Sequence, residues 1–339
     1  MHMIRNLLVS LRRMVPVAMT AAMVLPHAAG AADKIVIGEQ RALSAMVSSV
    51  GIAKGFFAEE GLEVTQVFGE RPTDTIPAVL AGQADFSFSA TPPFLAATAN
   101  GAQLVAVGVF SYGYSGHLIA SKANGNLKTL ADFRGKRIGM QRGTGVANVF
   151  LIAAERQGLK ESDFNITNLR VADMPTAMQT GSFDAVLGWE PGMSRIVSMG
   201  YGERSISAEQ FEKIAGVTYV FPLFTTQAMV KNRPDVVQRF MNGWAKSLYF
   251  ANSHHGESLQ ILRKTLGGAV EHMSDSELQG LVDVYRKDHV AFSKEDLQDF
   301  RIMQDFMLRD GQIKSKVDLA GYIDNAFALK ADQKVRAAK

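Results

Sequence analysis

The pattern Ala-x3-Gly-x2-Asp occurs twice in this chain of 339 residues, as Ala78, Gly82, Asp85 and as Ala177, Gly181, Asp184, the copies standing 99 residues apart. In each copy a proline (Pro77, Pro175) stands near the start of a helical stretch, and the glycine stands where the helix stops. The aspartate then leads into an apolar run, Phe86-Ser-Phe88 or Ala185-Val-Leu187. Proline suits the first helical position because its missing N–H has no partner there, and glycine suits the residue after a helix because that residue commonly turns left-handed. Two helix-to-strand units one small domain apart predict two similar α/β lobes, with a cleft between them as the natural place for a small ligand.

The first 32 residues carry Arg5, Arg12 and Arg13 and no acid, then an apolar stretch from Met14 to Leu25, then small residues from Ala28 to Ala32. That order predicts a secretory signal peptide cleaved near Ala31 or Ala32, since the apolar core is too short for a stable membrane anchor. Its removal takes three arginines from 36 Lys and Arg, leaving 33 against 33 Asp and Glu. A mature chain near zero net charge lacks the basic face that nucleic-acid binding requires. The chain has no cysteine, hence neither a disulfide nor the lipid-anchor residue of a bacterial lipoprotein, and a freely diffusing periplasmic protein is expected.

The remaining 307 residues exceed one typical core. Ile35-Val-Ile37, Leu62 to Phe68, Phe86 to Ser89 and Leu104 to Phe110 read as strands alternating with helices. A second series runs from Ser121 through strands at Arg137 to Met140 and Ile166 to Val171. Such alternation predicts mainly parallel sheets with helices on both faces. The chain then returns to the first lobe through Val217 to Val230, and an all-helical part follows Pro234, with helix starts at Ser274-x2-Glu277 and Ser293-x2-Asp296. The expected division is a signal peptide over 1–32, lobe 1 over 33–118 and 225–330, lobe 2 over 119–224, and a loose tail over 331–339.

Five stretches together resemble the solute-binding proteins of ABC importers. They are Ile35-Val-Ile-Gly38, Gly51-Ile-Ala-Lys-Gly-Phe-Phe-Ala-Glu-Glu-Gly-Leu-Glu-Val64, Ala81-Gly-Gln-Ala-Asp85, Leu130-Ala-Asp-Phe-Arg-Gly-Lys-Arg-Ile-Gly139 and Trp189-Glu-Pro191. Within those proteins the likeness is to the group serving aliphatic sulfonates, taurine, nitrate and thiamine precursors. The resemblance implies a two-lobed, type II-like periplasmic binding protein, monomeric, that closes about a hinge on a small anionic solute. It would deliver that solute to an inner-membrane permease and its ATPase, without a cofactor.

In open α/β sheets ligands sit beyond the carboxyl ends of the strands. This selects Gln40 to Ser44, Gly69 to Arg71, Ser89 to Thr91, Gln141 to Gly145 and Gly188 to Glu190, with Arg41, Ser44, Arg71, Ser89 and Thr91 as candidate contacts in the first lobe. The strongest element is Gln141, Arg142, Gly143, Thr144 and Gly145, a loop entering a helix. There free N–H groups and the helix dipole favour an anion, Arg142 and Thr144 add donors, and the glycines permit close approach. The same loop is equally readable as an ordinary helix cap. Thr91 is readable as a cap or an anion contact, Trp189 as a cleft wall or core filler, and Glu190 as the partner of a ligand amine or of a nearby arginine. Tyr112, Tyr114 and His117 approach the hinge, where an aromatic ring covers the ligand or packs between lobes.

Catalytic and metal patterns are thin. Gly143-x-Gly145 lacks the third glycine of a dinucleotide fingerprint, and no His-Glu-x2-His is present. The adjacent His254 and His255 point in different directions on a helix, so no metal site is expected. The expected function is capture of an alkanesulfonate or taurine. A planar thiamine-precursor pyrimidine or nitrate is the alternative solute. An enzyme of the same fold is the alternative class, disfavoured because the related desulfinase and pyrimidine synthases depend on cysteine.

Overall fold

The structure, a computed structural model, describes residues 31–69, 74–217, 219–271, 273–283 and 288–337. Among them, ten strands form two five-stranded sheets. The first sheet holds β1 (Asp33–Gln40), β2 (Leu62–Gly69), β3 (Phe86–Phe88), β4 (Leu104–Tyr112) and, from much later in the chain, β10 (Val220–Thr226), in the order β2-β1-β3-β10-β4. The second holds β5 (Gly116–Ser121), β6 (Arg137–Met140), β7 (Asn165–Asn168), β8 (Ala185–Trp189) and β9 (Gly202–Ile206), in the order β7-β6-β8-β5-β9. The two orders are the same arrangement. In each, three neighbouring strands run parallel, and the one antiparallel strand is the strand that arrives from the other half of the chain, β10 in one sheet and β5 in the other.

Helices α1 (Met46–Ala53), α2 (Thr75–Leu80) and α3 (Thr91–Ala99) join the early strands, and α4 (Gly145–Arg156), α5 (Met174–Gln179), α6 (Gly192–Ser198) and α7 (Ala208–Ala215) serve the second sheet. After β10 come α8 (Gln227–Asn232), α9 (Pro234–Ser253), α10 (His255–Leu266), α11 (Asp275–Val282), α12 (Lys294–Arg309) and α13 (Ala326–Ala337). Helix α1 stops at Ala53, where the chain turns to bury Phe57 against Phe240, their rings stacked 5.2 Å apart. No helix among the described residues is long and apolar enough to cross a membrane.

The repeated pattern builds one device twice. After α2, Gly82 is left-handed at φ 70° and Gln83 N–H donates back to Ala78 O at 2.8 Å; after α5, Gly181 sits at φ 69° and Ser182 N–H donates to Ala177 O at 3.0 Å. Each is a helix-ending turn that spends two stranded carbonyls. The aspartate then locks the next strand to its parallel neighbour, β1 in the first sheet and β6 in the second. Asp85 N–H donates to Val36 O while its carboxylate accepts Val36 N–H, both at 2.8 Å; Asp184 does the same with Arg137, at 2.9 and 2.8 Å. Asp85→Ala and Asp184→Ala should each cost about 1–3 kcal/mol, the penalty of a stranded backbone donor. Urea unfolding checks this, and costs differing by more than about 1.5 kcal/mol would show that the two copies are not energetic equivalents.

Ser274 and Ser293 are the N-caps of α11 and α12, each in a reciprocal capping box with Glu277 or Asp296, where the sequence places them. The loose tail expected from 331 is corrected: through 337 the chain is helix α13, which buries Ala331 and Val335 against α9. Helix α12 packs on α3 from the first half and α4 from the second. Side chains reinforce that bridge, with the Asn148 and Gln312 carboxamides exchanging hydrogen bonds at 3.0 Å each way and Arg309 paired to Glu155 at 2.9 Å.

Candidate functional site

Strand direction places the carboxyl ends of β1, β3 and β4 on one edge of the first sheet, together with the start of β10. The corresponding edge of the second sheet carries the ends of β6, β8 and β9 and the start of β5. The chain passes between these edges at 113–115 and again just ahead of β10, where Gly113 N–H donates to Tyr219 O at 2.9 Å and ties the two passages together. The loops Gln40–Ser44, Ser89–Thr91, Gln141–Gly145 and Gly188–Glu190 all follow strands on these edges, the location that open α/β sheets offer to ligands. Arg71 lies outside the described residues.

At the amino end of α4, Thr144 is the N-cap: its hydroxyl accepts Ala147 N–H at 3.3 Å and donates to Gln141 O at 2.7 Å. The Arg142 guanidinium pairs with Glu161 in its own half, and Arg142 N–H donates to Asn168 Oδ1 at 3.0 Å. Gly143 is left-handed at φ 72° with open space around it. Gly145 was expected to admit a ligand, but its close neighbour is protein. A Cβ there would stand 1.2 Å from Tyr219 Oη. Tyr219 is a non-glycine residue at φ 58°, buried edge-on to Tyr114 and Phe221, with its N–H held by the Asp299 carboxylate at 3.0 Å. Nothing in the local sequence marks Tyr219 out, because its place is set by the passage between sheets.

On the first-half edge, Thr91 is neither cap nor open donor. Ala90 occupies the cap position of α3, and the Thr91 hydroxyl donates to Val220 O at 2.6 Å, fastening the helix to β10. Ser89 is buried and donates to Ala90 O at 3.0 Å, Ser44 is buried in a 3₁₀ turn, and Arg41 lies over the Phe68 ring while bonding Thr265 O at 3.0 Å. Tyr112 donates to Asp288 and stacks on His289 at 4.8 Å. Burial alone would lower the His289 pKa, but its bonds to Asp296 and Asp288 and their charges hold it above the ordinary value. No hydrogen bond or ion pair among the described residues joins Gln141–Gly145 to Arg41, Ser44, Ser89, Trp189 or Glu190.

Trp189 ends β8 opposite Gly116 and is partly buried against the main core. Of the two partners expected for Glu190, a ligand amine or a nearby arginine, the protein itself supplies the arginine. Its side chain is 1% exposed, and it receives Arg204 at 2.6 Å, Ser194 N–H and Ser194 Oγ at 2.9 Å each, and the His117 ring at 3.4 Å. Burial, aided by the Arg204 charge, pushes His117 down to about 3, so the imidazole is neutral. Its Nδ1 accepts Ala208 N–H at 3.1 Å, which puts the proton on Nε2, facing Glu190. Tyr114, the remaining hinge candidate, donates to Val146 O at 2.9 Å and is core.

One acid on this edge escaped the loop-by-loop reading. Glu39 is fully buried, the third inward residue of β1 after Ile35 and Ile37, and Ser48 Oγ and Gln66 Nε2 reach its carboxyl at 2.7 and 2.8 Å. Burial raises its pKa to about 7 against the pull of those two bonds. The period of two along β1 is the signal that places it inward. A cavity of about 350 Å³ lies elsewhere, between α12 and 316–320, but it is an open groove whose Lys316 and Asp305 already pair at 2.6 Å. Among the described residues, no cluster of His, Asp and Glu is able to hold a metal ion.

This architecture has known relatives. The chain is similar to a putative aliphatic sulfonates-binding protein of Bacillus subtilis, 25% identical over 306 residues that make up 88% of each chain. The crystal structure of the periplasmic aliphatic sulphonate-binding protein SsuA from Escherichia coli superposes with a TM-score of 0.72 at 20% identity, over 85% of this chain and 96% of that one. The desulfurization enzyme DSZB shares the fold more distantly, with a TM-score of 0.65 at 14% identity over 90% of this chain and all of that one. The family model described as NMT1/THI5 like matches residues 46–258, which run from α1 through the second sheet and back into the helices behind the first. With that match spanning more than half of its length, the chain belongs to the NMT1/THI5-like family.

Proposed function

We propose that this protein is the periplasmic solute-binding component of an ABC importer and captures a small anionic organosulfur solute, an alkanesulfonate, between its two halves. Closure about the passages at 113–115 and just ahead of β10 would bury the solute, and the closed form would hand it to the permease. The observation that carries the reading is the pair of like-ordered sheets whose carboxyl edges are joined by those passages, with the amino ends of α3 and α4 on the same edges. The name carried by the Bacillus relative supplies the solute class. We take 33–112 and 220–337 as one lobe and 116–206 as the other, following sheet membership. Export with cleavage near Ala31 or Ala32 leaves a chain beginning at β1, whose Asp33 is held by Arg233 at 2.6 Å and by Arg239 at 2.5 Å.

Because Glu190 is already satisfied by Arg204, it offers nothing to a ligand amine, and a plain alkanesulfonate is favoured over taurine. Melting of the mature protein with ethanesulfonate, taurine, nitrate and a thiamine pyrimidine tests this. A solute at a hundredfold its Kd adds about 2.7 kcal/mol, a rise of a few degrees. We expect the rise with ethanesulfonate, and expect it to survive Arg142→Ala, since that guanidinium is engaged by Glu161. No rise with any sulfonate would discard the solute class. The partly buried Trp189 favours one second reading, a planar ring stacked on the indole. A rise with the pyrimidine alone, abolished by Trp189→Ala, would establish it instead.

A further inference from the structure

Glu39 stands one residue before the end of β1, directly ahead of the loop Gln40–Ser44, and no cation among the described residues neutralises it. The charged groups on the elements around it are engaged elsewhere. Arg41 goes to Thr265 O, Asp85 before β3 to Val36 N–H, Lys54 after α1 to Glu257, Arg239 on α9 to Asp33 and Asp235, and Lys246 to Glu59 and Glu60. Glu63 on β2 is exposed. What faces Glu39 is neutral: Ser48 of α1, and Gln66 of β2, whose amide also reaches Ser48 Oγ at 2.9 Å and Ser49 Oγ at 3.1 Å.

The proton count in this cluster has two solutions. Ser48 Oγ lies 2.7 and 2.8 Å from the two carboxyl oxygens and 2.9 Å from Ala45 O, yet it has one proton to give. With the carboxyl neutral, its own O–H donates to Ser48 Oγ, and Ser48 donates onward to Ala45 O, pinning the turn Leu43–Ala45 that closes the loop. With the carboxyl ionised, Ser48 must turn to it, and of the two hydroxyls on Ala45 O only that of Ser49, at 2.7 Å, remains. A buried negative charge then also sits behind the loop. An unpaired buried charge is costly, so the neutral form is the one the site tolerates best.

We propose that Glu39 makes solute capture proton-dependent: the neutral carboxyl holds the loop Gln40–Ser44 in its binding form, and ionisation weakens affinity for an anion. Glu39 acts through the loop and is a positioning residue. The inference rests on the reading that this loop lines the solute site.

The test is calorimetric titration of the mature protein with ethanesulfonate, itself ionised throughout, from pH 5.5 to 8.5. Wild-type Kd should rise by up to tenfold per pH unit above about 7, the limit for one linked proton. Glu39→Gln, which mimics the neutral acid, should bind with the low-pH affinity at every pH. His289→Gln should keep the wild-type slope, which separates Glu39 from the imidazole near this edge, whose pKa its bonds to Asp296 and Asp288 hold above the ordinary value. Melting without solute gives an independent readout of the same proton. A carboxyl raised on folding keeps a proton that the unfolded chain releases above about 4.5, so wild-type stability falls from there to about pH 7, and Glu39→Gln should lack that fall. A flat wild-type Kd, or a slope that persists in Glu39→Gln, overturns the inference while leaving the binding function intact. Absence of sulfonate binding at every pH overturns both.

Discussion

Gly145→Val will unfold the protein at a markedly lower urea concentration, with an expected loss of roughly 3–5 kcal/mol, the range for emptying a buried aromatic site. A Cβ at 145 would lie 1.2 Å from Tyr219 Oη and 2.1 Å from Cζ, so the ring must leave rather than shift. Its departure opens the packing against Tyr114 and Phe221, and strips the passage between the sheets of the side chain that rests on α4. Gly143→Ala is the contrasting case two residues away. There the space is open and only the left-handed backbone resists, so the loss should be about 1 kcal/mol. Equal losses at the two positions would mean that Tyr219 is not seated on α4 in solution. Because the same substitution disturbs the amino end of α4, solute binding should fall with stability in Gly145→Val and be largely kept in Gly143→Ala.

Arg204→Ala should be nearly as damaging, at about 3 kcal/mol or more, because it strands a carboxylate that is almost wholly enclosed. Arg204 is itself 40% exposed, so the guanidinium loses little by being there, while Glu190 at 1% has no route to water. Of the remaining partners, Ser194 donates two hydrogen bonds and the neutral His117 ring lies 3.4 Å away, and neither brings a positive charge. The double change Arg204→Ala with Glu190→Gln should recover much of the loss, since it removes the stranded charge and leaves a carboxamide able to accept from Ser194. Denaturation of the two single variants and the double variant measures the coupling. Additive costs would show that Glu190 and Arg204 do not act as a pair. The helix α6 begins at Glu190's hydrogen bonds to Ser194, so the network also anchors the turn after β8 that presents Trp189.

These two sites show where reading along the chain stops being enough. Glu190 was legible as a carboxylate that needs a partner, and an arginine was among the options, but Arg204 arrives on a different strand, 14 residues later, and only the pairing of β5 with β8 and β9 brings it in. Thr144 was legible as a cap and is one. Thr91 looked equivalent, yet its hydroxyl finds Val220 O, a partner 129 residues away that no local rule supplies. Gly145 was read as a glycine that lets a ligand approach, while the group that in fact occupies the space beside it, Tyr219, was not legible. Glu39 could have been found by counting faces along β1, because an acid in phase with Ile35 and Ile37 must point inward.

By itself the sequence determined whatever depends on near neighbours. Caps at Ser274 and Ser293, left-handed glycines after α2 and α5 and the alternation of strands with helices all arise from groups a few residues apart, whose geometry the backbone dictates. The two-lobed class follows from repetition of those units. Only the tertiary structure decided which polar side chains stay open toward a solute and which are consumed inside the protein. A hydroxyl, guanidinium or carboxylate near a strand end bonds to whatever the fold delivers within about 3 Å, and that depends on strand order and on the two passages between the sheets. Spacing in the chain carries no information about either.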